Sequence, residues 1–184
     1  MHSVSKHLGT VLIVLSFIGL LIVALPFVLS RLPSQAAQIN QIGYYVSIPK
    51  IQAVSPIVVG VDPWNQTEYN RALSRGIAQA KDTFLPGQNK LTYLFAHSSG
   101  LPWEILSKNV PFLRLGELKT GDQITLTNNG KEYVYTVKEK KVVAAGETKY
   151  LKNTGEDVLI LQTCWPIGTD WRRLLVIALP VNSK

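Results

Sequence analysis

Hydrophobic positions fall into two regimes along this chain. The first is one unbroken block, LGTVLIVLSFIGLLIVALPFVL (8–29), without a charged side chain. At about 1.5 Å per residue, a helix of this length covers the roughly 30 Å of a bilayer core. Ser34-Gln35-Ala36 loosely resembles a processing site, but the apolar core of a cleaved signal normally runs only about 7–15 residues. The block therefore predicts a retained transmembrane helix. Residues 1–7 become a cytoplasmic stub, and the polar, Gln-rich residues 30–43 a juxtamembrane linker.

The second regime starts at residue 44 and is a succession of short β-rich runs separated by turn formers. YYVSIPKI (44–51) and SPIVVGV (55–61) come first, then QTEYNRALSRGIA from Gln66, which predicts a short helix closed near Arg75-Gly76. LTYLFA (91–96) is a strand ending just before His97. Residues 98–116 carry two prolines and mixed polarity, with one helical turn expected at WEILS (103–107). QITLT (123–127) and KEYVYTV (131–137) flank Asn129-Gly130, a strong hairpin signal. KVVAA (141–145) follows as a further run. DVLILQT (157–163) is apolar on both faces, as a central strand buried on both sides would be. RLLVIALPV (173–181) is the last strand. The fold expected is all-β with minor helix: seven or eight strands in a closed β-barrel, because closure removes exposed edges. One domain spans 44–184.

Charge narrows the partners. The chain carries 19 Lys and Arg against 12 Asp and Glu, and only Lys6 precedes the apolar block. The excess suits a surface held near anionic lipid or wall polymer. It is scattered, with no basic run beyond Lys138-Glu139-Lys140-Lys141. That run reads as a solvated strand face, and nucleic acid is not an expected partner. The acidic residues are dispersed and the domain has one His and one Cys, so no metal site and no cofactor is expected.

Those two residues carry the candidate chemistry. Cys164 is the chain's single cysteine; His97 is the single histidine of the domain, since His2 and His7 precede the apolar block. A lone thiol cannot form an internal disulfide. Most free cysteines are small buried hydrophobes and most isolated histidines are structural. Both residues, however, fall at the ends of expected strands. If those strands lie side by side and run alike, the two ends meet although 67 residues separate them. A thiol paired with an imidazole is the arrangement nucleophilic catalysis needs. From Cys164 the chain runs Trp-Pro-Ile-Gly-Thr-Asp-Trp to Arg172-Arg173. This tight connection returns an arginine close to the thiol, and strand alternation lets only one of the two face it. A guanidinium there could stabilise an oxyanion or bind a peptide carbonyl. A pair of surface arginines is the alternative.

LQTCWPIGTDWRRLLVIA (161–178) resembles the signature of the sortase family, in which a strand ends in Thr-x-Thr-Cys and a later strand opens with an arginine. Gln162-Thr163-Cys164 keeps the Thr-Cys pair, whereas Leu161 stands where the first threonine is usual. FAHSSG (95–100) resembles the family's strand-ending histidine, with Ala96 where glycine is common. IPKI (48–51), LPG (85–87), LGELKTGDQI (115–124) and YVYTV (133–137) follow in the family's order. Asp62-Pro63-Trp64 resembles the lid tripeptide of pilus-building members, but it follows the IPKI run instead of preceding it. It is expected to form the turn before the helix, without a lid.

The resemblance implies a sortase-type β-barrel behind one membrane helix. It makes Cys164 the nucleophile, His97 the general acid/base, Arg173 the oxyanion or substrate-positioning group and Thr163 a contact of the bound peptide. The implied enzyme is an extracellular, membrane-anchored cysteine transpeptidase with a cytoplasmic N-terminus. It would cleave an LPxTG-like sorting signal through a thioester and pass the protein to an amine of a cell-wall precursor or a pilin lysine. A thiol hydrolase of wall peptides and a non-catalytic peptide-binding barrel are the alternatives. Ordinary pKa values of about 8.5 for Cys and 6.5 for His leave only about 1% of the pair ionised, so turnover is expected to be slow.

Overall fold

The structure, a computed structural model, describes residues 13, 15–21, 24, 28, 43–98, 110–152 and 155–181. In the first group, residues 13, 15–21, 24 and 28 are helical and exposed. No helix among the described residues is long and apolar enough to cross a membrane. The expected span over 8–29 and the linker at 30–43 fall largely or wholly outside the described residues, as does the turn expected at WEILS.

From residue 44 the order is β1 (Tyr44–Ile48), β2 (Ala53–Val61), α1 (Gln66–Leu73), β3 (Ile77–Ala80), β4 (Leu91–Phe95), β5 (Gln123–Asn128), β6 (Lys131–Ala144), β7 (Val158–Trp165) and β8 (Arg172–Pro180). The strands close a barrel in the order β1-β2-β3-β4-β7-β8-β6-β5. The expected closed barrel is present, with eight strands among the described residues. Two neighbour pairs are parallel, β2 with β3 and β4 with β7.

Local chemistry explains most boundaries. Asn129 (φ 49°) and Gly130 (φ 81°) both take the left-handed conformation of a two-residue hairpin turn, which asparagine and glycine accept most readily. Asn65 caps α1, its side-chain oxygen accepting from the backbone N–H groups of Thr67 and Glu68. Asp62-Pro63-Trp64 makes the turn before that helix, the Asp62 carboxylate accepting from the Trp64 N–H at 2.9 Å. Gly76 (φ 154°) joins α1 to β3 where a Cβ would run into the Pro56 carbonyl oxygen and the Ser55 hydroxyl.

Two expectations need correction. KVVAA is not a separate strand: β6 runs unbroken for 14 residues, pairing with β5 through its first half and with β8 through its second. A register shift between Val137 and Glu139 lets one strand serve both neighbours. The tail of the helical run, Ile77-Ala78, instead opens β3, whose four residues are all buried between β2 and β4.

Strand alternation sorts the core. On β7, Leu159, Leu161 and Thr163 point into the barrel opposite Ala178, Val176 and Leu174 of β8. All six are at most 4% exposed. The other face of the same strands is also covered, with Ile160, Leu175 and Ile177 buried. That two-sided burial is what the unbroken apolar pattern of β7 anticipates.

Gly76→Ala is expected to lower stability by about 1–3 kcal/mol, because the strained φ and the facing backbone oxygen cannot both be relieved locally. Urea unfolding should show a lower midpoint with an unchanged slope.

Candidate active site

The parallel pairing of β4 with β7 sets the site. Phe95 lies opposite Gln162, and two residues further along each strand come His97 and Cys164. The ladder continues past Phe95, with the Ala96 N–H donating to the Gln162 carbonyl at 3.1 Å. The Thr163 hydroxyl donates back to the Ala96 carbonyl at 2.9 Å. These two bonds lock the chain next to His97 to the chain next to Cys164. Equal offsets then put His97, just past the end of β4, and Cys164, on β7, at corresponding positions of the extended ladder, and both residues are partly exposed.

β8 approaches Cys164 from the other side. Cys164 and Arg173 are direct cross-strand partners, so their side chains share a face. Arg172, opposite Trp165, points to the other face and is exposed. The Arg173 guanidinium is anchored by its own turn, one nitrogen donating to the Asp170 carbonyl at 2.8 Å and the Arg172 carbonyl at 3.0 Å. The cation's position is thus a property of the β7–β8 connection. Beneath Cys164, the Trp165 ring packs so closely on Gly116 that a Cβ there would sit 2.9 Å from it.

Electrostatics pull in opposite directions at the sulfur. Burial pushes the Cys164 thiol above its ordinary pKa. Arg173 pulls it down, and the Asp170 carboxylate pushes it up again. The protonated thiol is the favoured resting form.

Thr163 stands differently from the expected peptide contact. It is 2% exposed and its hydroxyl is taken by the Ala96 carbonyl. Alternation turns its side chain into the barrel, on the face opposite Cys164, so it fixes strand positions and presents nothing to a ligand.

Tyr69 of α1 is a neighbour that motif spacing did not single out. Its ring stacks on Phe95 at 5.4 Å between centroids and meets His97 edge-on at 5.8 Å. Burial raises its phenol pKa; Cys164 raises it further and Arg173 opposes the rise, so its hydroxyl feels both groups. A signal was available: Tyr69 lies three and four residues before the buried Ala72 and Leu73, on the same helix face.

The face that carries Cys164 continues as a floor. Its three rows are Leu91, Tyr93 and Phe95 on β4; Val158, Ile160, Gln162 and Cys164 on β7; and Leu179, Ile177, Leu175 and Arg173 on β8. At the far end lies a cleft of about 230 Å³, lined by Leu91, Val158, Ile160, Ile177 and Leu179. Lys138, Glu139, Lys149, Tyr150, Lys152 and Glu156 make its wall, so an apolar floor is ringed by charged side chains. Four residues of β7, about 13 Å, separate Ile160 in this cleft from Cys164.

Comparison with known proteins agrees with this architecture. The family model described as "Sortase domain" matches residues 46–181, from within β1 to just past β8. The chain is 31% identical over 135 residues to Sortase D of Bacillus subtilis, which covers 71% of this chain and 60% of that protein. It is 27% identical over 139 residues to Sortase A of Bacillus anthracis, covering 76% of this chain and 60% of the relative. The chain thus spans about 60% of the length of these curated relatives. Among solved structures, the lid mutant of Sortase A from Corynebacterium diphtheriae superposes with a TM-score of 0.65 at 28% identity, over 78% of this chain and 72% of that one. Sortase C-1 from Actinomyces oris gives 0.64 at 30% identity, over 75% and 73%. A barrel of this topology, matched by the family model along nearly its whole length, places the chain in the sortase family.

Proposed function

We propose that this chain is a membrane-anchored cysteine transpeptidase that cleaves an LPxTG-like sorting signal and transfers the acyl group to an amine of the cell envelope or a pilin. The observation that carries the reading is the cross-strand pairing of Cys164 with Arg173; the register of β4 with β7, which leaves His97 and Cys164 each two residues beyond the paired Phe95 and Gln162, supports it. Cys164 is the nucleophile, His97 the general acid/base and Arg173 the oxyanion donor. The floor supports an extended peptide: an apolar side chain fills the distal cleft while a bond about four residues onward meets the thiol.

The reaction runs in two balanced halves. His97 takes the thiol proton, and the Cys164 sulfur adds to the scissile carbonyl carbon. The resulting oxyanion lies beside the Arg173 guanidinium, whose charge-assisted N–H donors stabilise it. Collapse breaks the C–N bond, leaving the thioester, and the imidazolium protonates the departing amine. An acceptor amine then adds to the thioester carbonyl and passes its proton to His97. The C–S bond breaks, and the sulfur recovers the proton.

The membrane anchor is the uncharged block 8–29, with residues 1–7 inside and the domain 44–184 outside. Support comes from the exposed apolar side chains on the described helical residues, Phe17 and Leu20 each 63% exposed. Such a surface suits lipid better than water. The full-length chain should sediment with membranes and resist alkaline carbonate, and the chain from residue 44 onward should not.

Incubation with a fluorogenic LPxTG-type peptide should yield a covalent adduct on Cys164 by mass spectrometry. Added amine should divert product from hydrolysis to transfer; hydrolysis alone, unaffected by amine, would favour a thiol hydrolase. Cys164→Ala should abolish the adduct. Arg173→Gln should lower kcat/KM by about 10²–10³, and Arg173→Lys should restore little because a point charge lacks the planar fork. His97→Gln should lower it by about 10²–10⁴.

The pH dependence follows from the balance at the sulfur. Because burial favours the protonated thiol, iodoacetamide alkylation of Cys164 should rise with pH later than for a free thiol. Asp170→Asn should shift the profile to lower pH and Arg173→Gln to higher pH. Opposite shifts would contradict the proposed electrostatics.

A further inference from the structure

Between the distal cleft, apolar at its base, and Cys164, one polar side chain lies in the floor. Gln162 sits two residues before Cys164 on the same face of β7, flanked by Phe95 of β4 and Leu175 of β8. Those flanking residues are 2% and 1% exposed, whereas Gln162 is partly exposed. A peptide acylated on Cys164 with its apolar residue in the cleft has to cross this amide.

The amide is oriented. The Tyr93 hydroxyl donates to its Oε1 at 2.6 Å. Tyr93 is 3% exposed, and burial holds its phenol protonated well above its ordinary range. Its proton needs an acceptor, and Gln162 Oε1 is the one that the hydrogen bonding supplies. Fixing Oε1 toward Tyr93 turns the Nε2 group the other way, leaving two N–H donors for the groove. An extended peptide presents backbone carbonyls at regular intervals and satisfies such donors as an added strand would.

We propose that Gln162 is a substrate-binding residue whose Nε2 donates to a backbone carbonyl of the extended peptide, between the residue in the distal cleft and the scissile bond, with Tyr93 as the positioning residue that aims it. This deepens the transpeptidase reading and rests on it. The bond is made alike in ground and transition states, so its loss raises KM and leaves kcat nearly unchanged.

The test uses the full-length protein in detergent with an LPxTG-type peptide, measuring kcat, KM and Tm for Gln162→Met, Gln162→Glu and Tyr93→Phe. Gln162→Met, close in volume but without a donor, should raise KM about three- to tenfold with kcat within twofold. Gln162→Glu keeps an acceptor for Tyr93 and so guards against a folding defect. It still lacks the donor, so KM should rise at least as much while Tm holds. Tyr93→Phe should raise KM by less, in the same direction. Unchanged KM in both Gln162 variants, or a fall in kcat at constant KM, overturns the inference while leaving the transpeptidase reading standing. Absence of a Cys164 adduct in the unaltered protein overturns that reading, and the role of Gln162 falls with it.

Discussion

The parallel β4–β7 ladder is the constraint on which the site depends. Parallel strands bring residues far apart in sequence to the same end of a sheet without any local turn to join them. Here the ladder matches Leu91–Phe95 to Val158–Gln162 residue for residue, then extends through the Ala96 N–H and the Thr163 hydroxyl. A slip of one residue would leave His97 and Cys164 on opposite faces, because the side-chain period is two. The buried Thr163–Ala96 hydrogen bond opposes such a slip one residue before both groups. Its loss would leave a buried carbonyl unpaired, which is itself unfavourable by about 1–3 kcal/mol.

Around that ladder, each neighbouring element contributes one component. β8 returns through a short turn, so that antiparallel pairing sets Arg173 against Cys164, and the turn's own carbonyls hold the guanidinium. α1 crosses the end of β4 and lays Tyr69 on Phe95 and against His97. Gly116 gives the Trp165 ring the room it needs behind the sulfur. The reactive groups therefore stand mainly on rigid strands, with loops supplying the walls.

Much of this was legible in the sequence, and the reasons separate cleanly by range. The β7 run announced two-sided burial because every position from Leu159 to Leu161 is apolar, and Asn129-Gly130 marked its hairpin through φ preferences that few other pairs satisfy. The alternation rule allowed only one of Arg172 and Arg173 to face the thiol, and the resemblance to the family pointed to Arg173. β3 escaped because four residues directly after a helix carry too little pattern to be read as a strand. The join of KEYVYTV to KVVAA escaped because the irregularity near Lys138 breaks the alternation without breaking the strand. Thr163 was misplaced for a different reason. Motif proximity to Cys164 suggested exposure, whereas strand period two sends adjacent residues to opposite faces. Applied to its other neighbour, that rule would have put Gln162 on the side of the thiol.

Burial is the main reason the thiol rests protonated, and the turn between β7 and β8 works on it from both sides. Arg173 favours the thiolate, but the turn that positions it brings the Asp170 carboxylate within electrostatic reach of the same sulfur. Of these influences burial is the largest and Asp170 the smallest. Under the proposed reaction, thiolate and imidazolium are needed together, and a fixed cation that assists one disfavours the other. The guanidinium therefore has less to give the resting pair than the tetrahedral adduct, where negative charge moves from sulfur to oxygen and no longer competes with proton uptake by His97. An arginine locked by backbone carbonyls is preorganised for that later charge. Its contribution should accordingly lie in the transition state more than in thiol activation, which is why arginine's fork geometry matters here beyond its charge.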